Sequence, residues 1–221
     1  MMEEFIYLNN PKDQKIMASY FSLADSIAEL LGKQCEIVIH SVTNFENSII
    51  KIINGYHTNR KVGDPITDKG LQLLKHYQQH HADSERCYFS HLPSGDLIKS
   101  TTHIIIGSQG EPIGIFCINL NLSYPLDKII TSLMPKYEFL TPQKNETFTT
   151  TPQELIENTI NNAIIEVEKK LPKNSKSYKK SIIRYLVDNG IFELKDAISQ
   201  VSKKLNITPH AIYKHLRELK K

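Results

Sequence analysis

The chain is poor in cysteine: Cys35, Cys87 and Cys117 stand far apart, with no paired spacing. That excludes a disulfide framework and the usual zinc patterns. Two of the three lie in apolar runs, where a free thiol behaves as a small buried hydrophobe. No stretch approaches the ~20 apolar residues that a membrane-spanning helix needs, so no membrane partner is expected. The opening Met-Met-Glu-Glu-Phe lacks the basic stretch and apolar run of a secretion signal, and a cytoplasmic location is expected. A Gly-rich phosphate loop, His-Glu-x-x-His and Gly-x-Ser-x-Gly are all missing, as are internal repeats. No catalytic residue, metal or cofactor is therefore expected. His76 and His80, four apart with His81 adjacent, lack a Cys or carboxylate spaced to complete a metal site, and read as a solvated helix face. Cys35 and His40 fail as a nucleophile pair, because strand residues five apart point to opposite faces.

Charge is present but unevenly placed. The formal net charge is +3, yet residues 172–221 hold 12 Lys+Arg against 4 Asp+Glu, and residues 1–171 hold 15 against 20. A basic end on an acidic body fits phosphate binding confined to that end.

Apolar periodicity divides the chain. Ile16, Tyr20, Leu23, Ala24, Ile27, Leu30 and Leu31 mark one face of a helix from Lys12 to Leu31, stopped at Gly32. Residues 35–40 and 48–53 are β-branched runs that read as strands. Thr67 caps a helix reaching about Gln79, and residues 86–91 suggest a third strand. Residues 97–107 and 112–121, joined by Ser108-Gln-Gly-Glu111, form a hairpin. Five strands pairing locally give an antiparallel α+β domain over residues 1–135, with one face free for helices. Residues 136–151 are polar and aperiodic at their core, a linker. A helix follows from Thr151-Pro152, with Glu154 as capping-box partner, to about Leu171. Another runs from about Ser177 to Asn189 and stops at Gly190.

Residues 195–220 read as a helix-turn-helix closing an all-α domain over 152–221. Ala197, Ile198, Val201 and Leu205 give the first helix one stripe, and small Ser202 permits close approach. Asn206 suits a left-handed turn position, Thr208 an N-cap and Pro209 a first helical residue. Ile212 and Leu216 carry the second stripe. Thr208, Pro209, His210, Tyr213, Lys214 and Arg217 are left facing outward as candidate DNA contacts. Thr208 and the amides near Pro209 suit a phosphate, His210 and Tyr213 bases or backbone, and Lys214 and Arg217 phosphates. The plainer reading of the last two is a solvated face.

In the N-terminal domain His40, Asn54, Ser100, Thr101, Thr102 and Asn119 are polar residues beside apolar strands. They form a candidate ligand cleft, since a pocket needs a few polar groups in an apolar shell. The plainer reading of each is edge pairing, turn capping or solvent exposure.

Three blocks resemble a known family: Cys35–Val42, Ser48–Asp68, and Gly95–Thr102 with Pro112–Asn121. With Ile182–Leu186, Gly190–Phe192 and the helix-turn-helix, they are similar to the YheO-like regulators, a PAS-like domain followed by a DauR-like helix-turn-helix. The resemblance implies a five-stranded PAS-like sheet with flanking helices, and a transcriptional regulator whose tail binds operator DNA. Such proteins often carry Arg where Pro209 stands and Gly where Asn206 stands, so the operator sequence does not carry over. The expected partners are double-stranded DNA, a small-molecule ligand in the PAS-like domain and a second copy, as a homodimer or higher oligomer. The alternative function is a sensor or scaffold whose basic tail docks a protein.

Overall fold

The computed structural model describes residues 8–81, 87–134 and 148–219, and divides into two units, residues 1–141 and 142–221. In the first unit, helix α1 (Pro11–Leu31) starts where Asn10 accepts a hydrogen bond from the Lys12 amide and Pro11 presets the first turn. Five strands follow: β1 (Cys35–Ser41), β2 (Ile49–Ile53), β3 (Cys87–His91), β4 (Leu97–Ile106) and β5 (Pro112–Asn121). They form one antiparallel sheet in the order β2-β1-β5-β4-β3, so β1 and β5 lie inside and β2 and β3 are the edges. The position explains the composition: β1 is buried at every residue, whereas β3 is largely exposed.

Alternation along the strands assigns the faces. Cys35, Ile37 and Ile39 pack with Phe116 and Ile105 under Met17, Phe21, Ala24 and Ala28 of α1. On the other face Ile104, Ile115 and Cys117 meet Leu73 and Leu74 of α2 (Asp68–His80), which Thr67 caps through the Gly70 amide. Helices thus cover both faces, not the single face expected, because β4 and β5 carry apolar residues on both. Lys51 clasps α1 to β2, at 2.7 Å from the Asp25 carboxylate and 3.1 Å from the Phe21 carbonyl. A short helix that the sequence reading passed over, α3 (Leu126–Leu133), follows the sheet. Of the expected linker, only residues 148–151 fall among the described residues.

The second unit holds α4 (Pro152–Glu168), α5 (Tyr178–Asp188), a 3-10 turn (Ile191–Glu193), α6 (Ala197–Leu205) and α7 (Pro209–Leu219). Thr151 caps α4 by accepting the Glu154 amide at 3.2 Å, but the Glu154 carboxylate reaches back to Thr150, not to the cap residue. Ile156, Ile160, Ile182, Ile183, Leu186, Val201 and Ile212 make the core. The first unit thus carries a five-stranded antiparallel sheet with helices against it, and the second is built of helices alone. Among the described residues no helix is long and apolar enough to cross a membrane.

Candidate nucleic-acid interface

The turn between α6 and α7 is built from three residues. Asn206 adopts the left-handed conformation (φ 48°, ψ 60°), which an amide side chain tolerates better than a bulkier one. Ser202 receives the Ile207 amide on its carbonyl at 3.1 Å, and its hydroxyl donates to the Ile207 carbonyl at 2.6 Å. Its small side chain therefore bonds the turn as well as leaving room for it. Lys179 of α5 donates to the Asn206 carbonyl at 3.3 Å. Thr208 then opens α7, its hydroxyl oxygen accepting the Ala211 amide at 3.3 Å, with Pro209 as the first helical residue.

Ile212 fixes the roll of α7. It is completely buried, and Leu216 and Leu219 pack behind it. That burial turns Thr208, Pro209, His210, Tyr213, Lys214 and Arg217 to solvent, all six exposed. His210, Tyr213, Lys214 and Arg217 follow the 3-4-7 spacing of one helical face. An ion pair ties α7 to α5, Lys180 lying 2.9 Å from Glu218, and the His215 ring lies 3.7 Å from the same carboxylate. The bond to Lys180 holds Glu218 below the usual carboxylate range. Lys204 of α6 approaches Glu157 of α4 at 3.7 Å. Glu218 stands one turn beyond Lys214 and feels its charge as well as that of Lys180, and Glu193 rims the cleft beside Arg217, so acids flank the basic face. Among the described residues Arg217 makes a long 3.4 Å bond from Nε to the Tyr213 carbonyl. The α7 terminus also carries the positive end of the helix dipole, although Pro209 has no N–H and the Ala211 and Ile212 amides are taken by Thr208. Such a face can meet phosphates along a groove and bring His210 and Tyr213 to base edges. A cleft of about 530 Å³ runs beside it, floored by Val187, Phe192 and Leu216 and rimmed by Glu193, His210, Tyr213 and Arg217.

The six cleft candidates of the first unit do not share one place. His40, Ser100, Thr102 and Asn119 lie on the α2 side of the sheet. The pairing registers put Ser100 opposite Asn119 and Thr102 opposite Cys117. Thr101, between them in sequence, projects from the opposite face. Asn54 is a turn residue: in the left-handed conformation (φ 57°), it donates to the Cys35 carbonyl at 2.7 Å. The next residue, Gly55, is pressed so closely against the Arg60 carbonyl that a Cβ would stand 2.4 Å from it.

The organiser of the polar face is Glu36, which the sequence reading did not single out. It is fully buried, accepting from Asn119 Nδ2 at 2.9 Å and from the Thr58 hydroxyl at 2.7 Å and amide at 3.2 Å. Ser100 extends the chain by donating to Asn119 at 2.8 Å, and Tyr88 contacts Thr102 at 3.3 Å. The available signal was a carboxylate in an otherwise apolar strand, on the same parity as His40. His40 pairs with the Ser48 hydroxyl at 2.8 Å, and burial, with help from the Arg60 charge, lowers its pKa to about 4. Burial raises the Cys117 thiol to about 11. Cys35, raised to about 11 by burial and the Glu36 charge, sits on the α1 side, away from His40. His76 and His80 stack at 4.5 Å, and no group of three metal-ligating side chains occurs among the described residues.

Comparison with known proteins agrees with this architecture. Residues 11–135 match the family of YheO-like PAS domains, and residues 155–217 match an HTH domain. The chain is 36% identical over 210 residues to the protein YheO of Escherichia coli (strain K12), covering 94% of this chain and 86% of that one. It is 37% identical over 215 residues to a protein of Haemophilus influenzae, covering 95% and 93%. A more distant relative is the transcriptional regulator DauR of Pseudomonas aeruginosa, 26% identical over 212 residues, covering 96% and 98%. The chain belongs to the family that joins a YheO-like PAS domain to a C-terminal HTH domain.

Proposed function

We propose that this protein is a DNA-binding transcriptional regulator, active in the cytoplasm and not an enzyme, whose PAS unit controls its helix-turn-helix. The observation that carries the reading is the solvent face of α7. Thr208 and Pro209 open the helix, His210 and Tyr213 project from its first turns, and Lys214 and Arg217 supply positive charge on that face. The basic surplus of residues 172–221 and the likeness to a transcriptional regulator support it. Thr208 and the α7 amides would hold a phosphate, Lys214 and Arg217 further phosphates, and His210 and Tyr213 base edges.

The input would be a small molecule on the α2 side of the sheet, where Ser100 and Asn119 join Glu36 and where His40 and Thr102 lie farther along the same face. Asn54 and Thr101 would act there only by supporting the turn and the neighbouring strand. A ligand that favours one arrangement of two paired copies would select the half-site spacing they fit.

The test is fluorescence anisotropy with duplex DNA from upstream of the protein's own operon. Binding is expected at ~50 mM salt and should weaken by orders of magnitude at ~200 mM. Absence of salt-sensitive binding at low salt would sink the reading. The cleft floored by Val187, Phe192 and Leu216 favours a second reading, a protein docked by the tail. That reading expects regulation to survive charge reversal at Lys214 and Arg217.

A further inference from the structure

Helix α3 wears its apolar stripe outward. Leu126, Ile130 and Leu133 recur at helical spacing, and they are 69%, 53% and 58% exposed, with Met134 just beyond at 62%. The contact with its own unit is made by a polar residue instead: the Ser132 hydroxyl lies 3.1 Å from Gln34 Oε1, and Ser132 presses on Gly32. Leu30, two residues before Gly32, is 72% exposed. Only Ile129 of the helix is half-buried, and no side chain caps Pro125 at its start. An eight-residue helix with so little burial is poorly supported by its own unit, since short helices are held by packing rather than by propensity.

We infer that this stripe is the self-association surface of the protein, packing against the same stripe of a second copy. The inference rests on the proposed reading of α7 as a half-site reader, because helix-turn-helix units read two half-sites as two-fold pairs. A second copy is the occupant whose complementarity requires no further partner, since a two-fold contact sets a patch against itself. The size is suitable. The three α3 side chains, Met134 and Leu30 expose roughly 500 Å² per copy, more than half of the ~800 Å² each partner gives to a standard interface. The stripe lies on the last helix described before the chain passes to the second unit, so pairing there would join two copies next to the segment leading to each α4.

The experiment uses the full chain. Light scattering after size exclusion should give twice the chain mass at micromolar concentration, and Ile130→Glu with Leu133→Glu should weaken association at least tenfold. Both positions are exposed, so thermal melting should show each variant folded. In a Cys87→Ser background, Ile130→Cys should form an interchain disulfide under mild oxidation, at least fivefold faster than Lys128→Cys. A monomeric wild type, a dimer indifferent to the two Glu substitutions, or equal crosslinking at Lys128 would overturn the proposal. The first of these is also the outcome expected if another segment of the same chain covers the stripe. A dimer that binds no DNA overturns the proposed function and leaves this surface standing. A monomer that binds DNA does the reverse.

Discussion

His40 shows how much one position constrains. The parity of β1 sends it to the face opposite α1, and the Ser48 hydroxyl takes one ring nitrogen at 2.8 Å. With 3% of its surface exposed, the ring is held neutral, its pKa lowered from 6.5 to about 4. Between those values the unfolded chain binds a proton that the folded chain refuses, so stability falls as the pH drops through that window. The loss attributable to this ring, complete by about pH 4, is about 3 kcal/mol, and none of it appears above about pH 7. Urea unfolding at a series of pH values should show His40→Gln losing less stability between pH 6.5 and 4 than the parent chain. Parallel losses in the two proteins would refute the assignment. Glu36 teaches the complementary lesson. Its presence in β1 was plain, but its partners Thr58 and Asn119 come from a loop and from β5, and no local pattern announces them. Thr101 was a different matter: adjacent strand residues cannot share a face, so alternation alone already separated it from Ser100 and Thr102.

At the scale of elements, legibility followed burial. Helix α1, the β4–β5 hairpin and α7 each set one apolar face against a core, and each was bounded by Asn10 and Gly32, by Gly110 in the turn, or by Thr208 and Pro209. Their patterns were therefore readable. Helix α3 was passed over although Leu126, Ile130 and Leu133 recur at helical spacing, because eight residues behind a Pro125 with no side-chain cap give a short signal, and the 3-10 turn at Ile191–Glu193 because three residues carry no period. Helix α7 also depends on one side chain. Ile212 is its only fully buried residue and sets which residues face outward. Ile212→Ala should cost about 2–5 kcal/mol, and Ile212→Val about 1 kcal/mol. Chemical denaturation followed through the helical signal checks the order, and DNA binding should fall with the Ala variant at temperatures where the Val variant still binds. If Ile212→Ala left both unchanged, Leu216 and Leu219 would be holding the helix instead.

For the whole molecule, the uneven charge has a countable consequence. The surplus of residues 172–221 is spread over many lysines, but several are already occupied: Lys180 by Glu218, Lys173 by Glu168 and Lys204 near Glu157. On α7, Lys214 and Arg217 are the cations proposed to meet phosphate. Each phosphate contact contributes about 0.9 to the slope of log affinity against log salt. One protomer that loses Lys214 to alanine should therefore lower the slope by about 0.9, and a bound pair by about 1.8. Titrations at four or more salt concentrations separate the two values. The monomeric variant of the α3 stripe supplies the control, since in it Lys214→Ala should return to the single-contact change. A slope that does not move with Lys214→Ala would place this side chain away from the duplex. A change of about 1.8 in both backgrounds would deny that α3 joins the copies that bind. The pair of slopes thus tests what α7 touches and how many copies of it touch together.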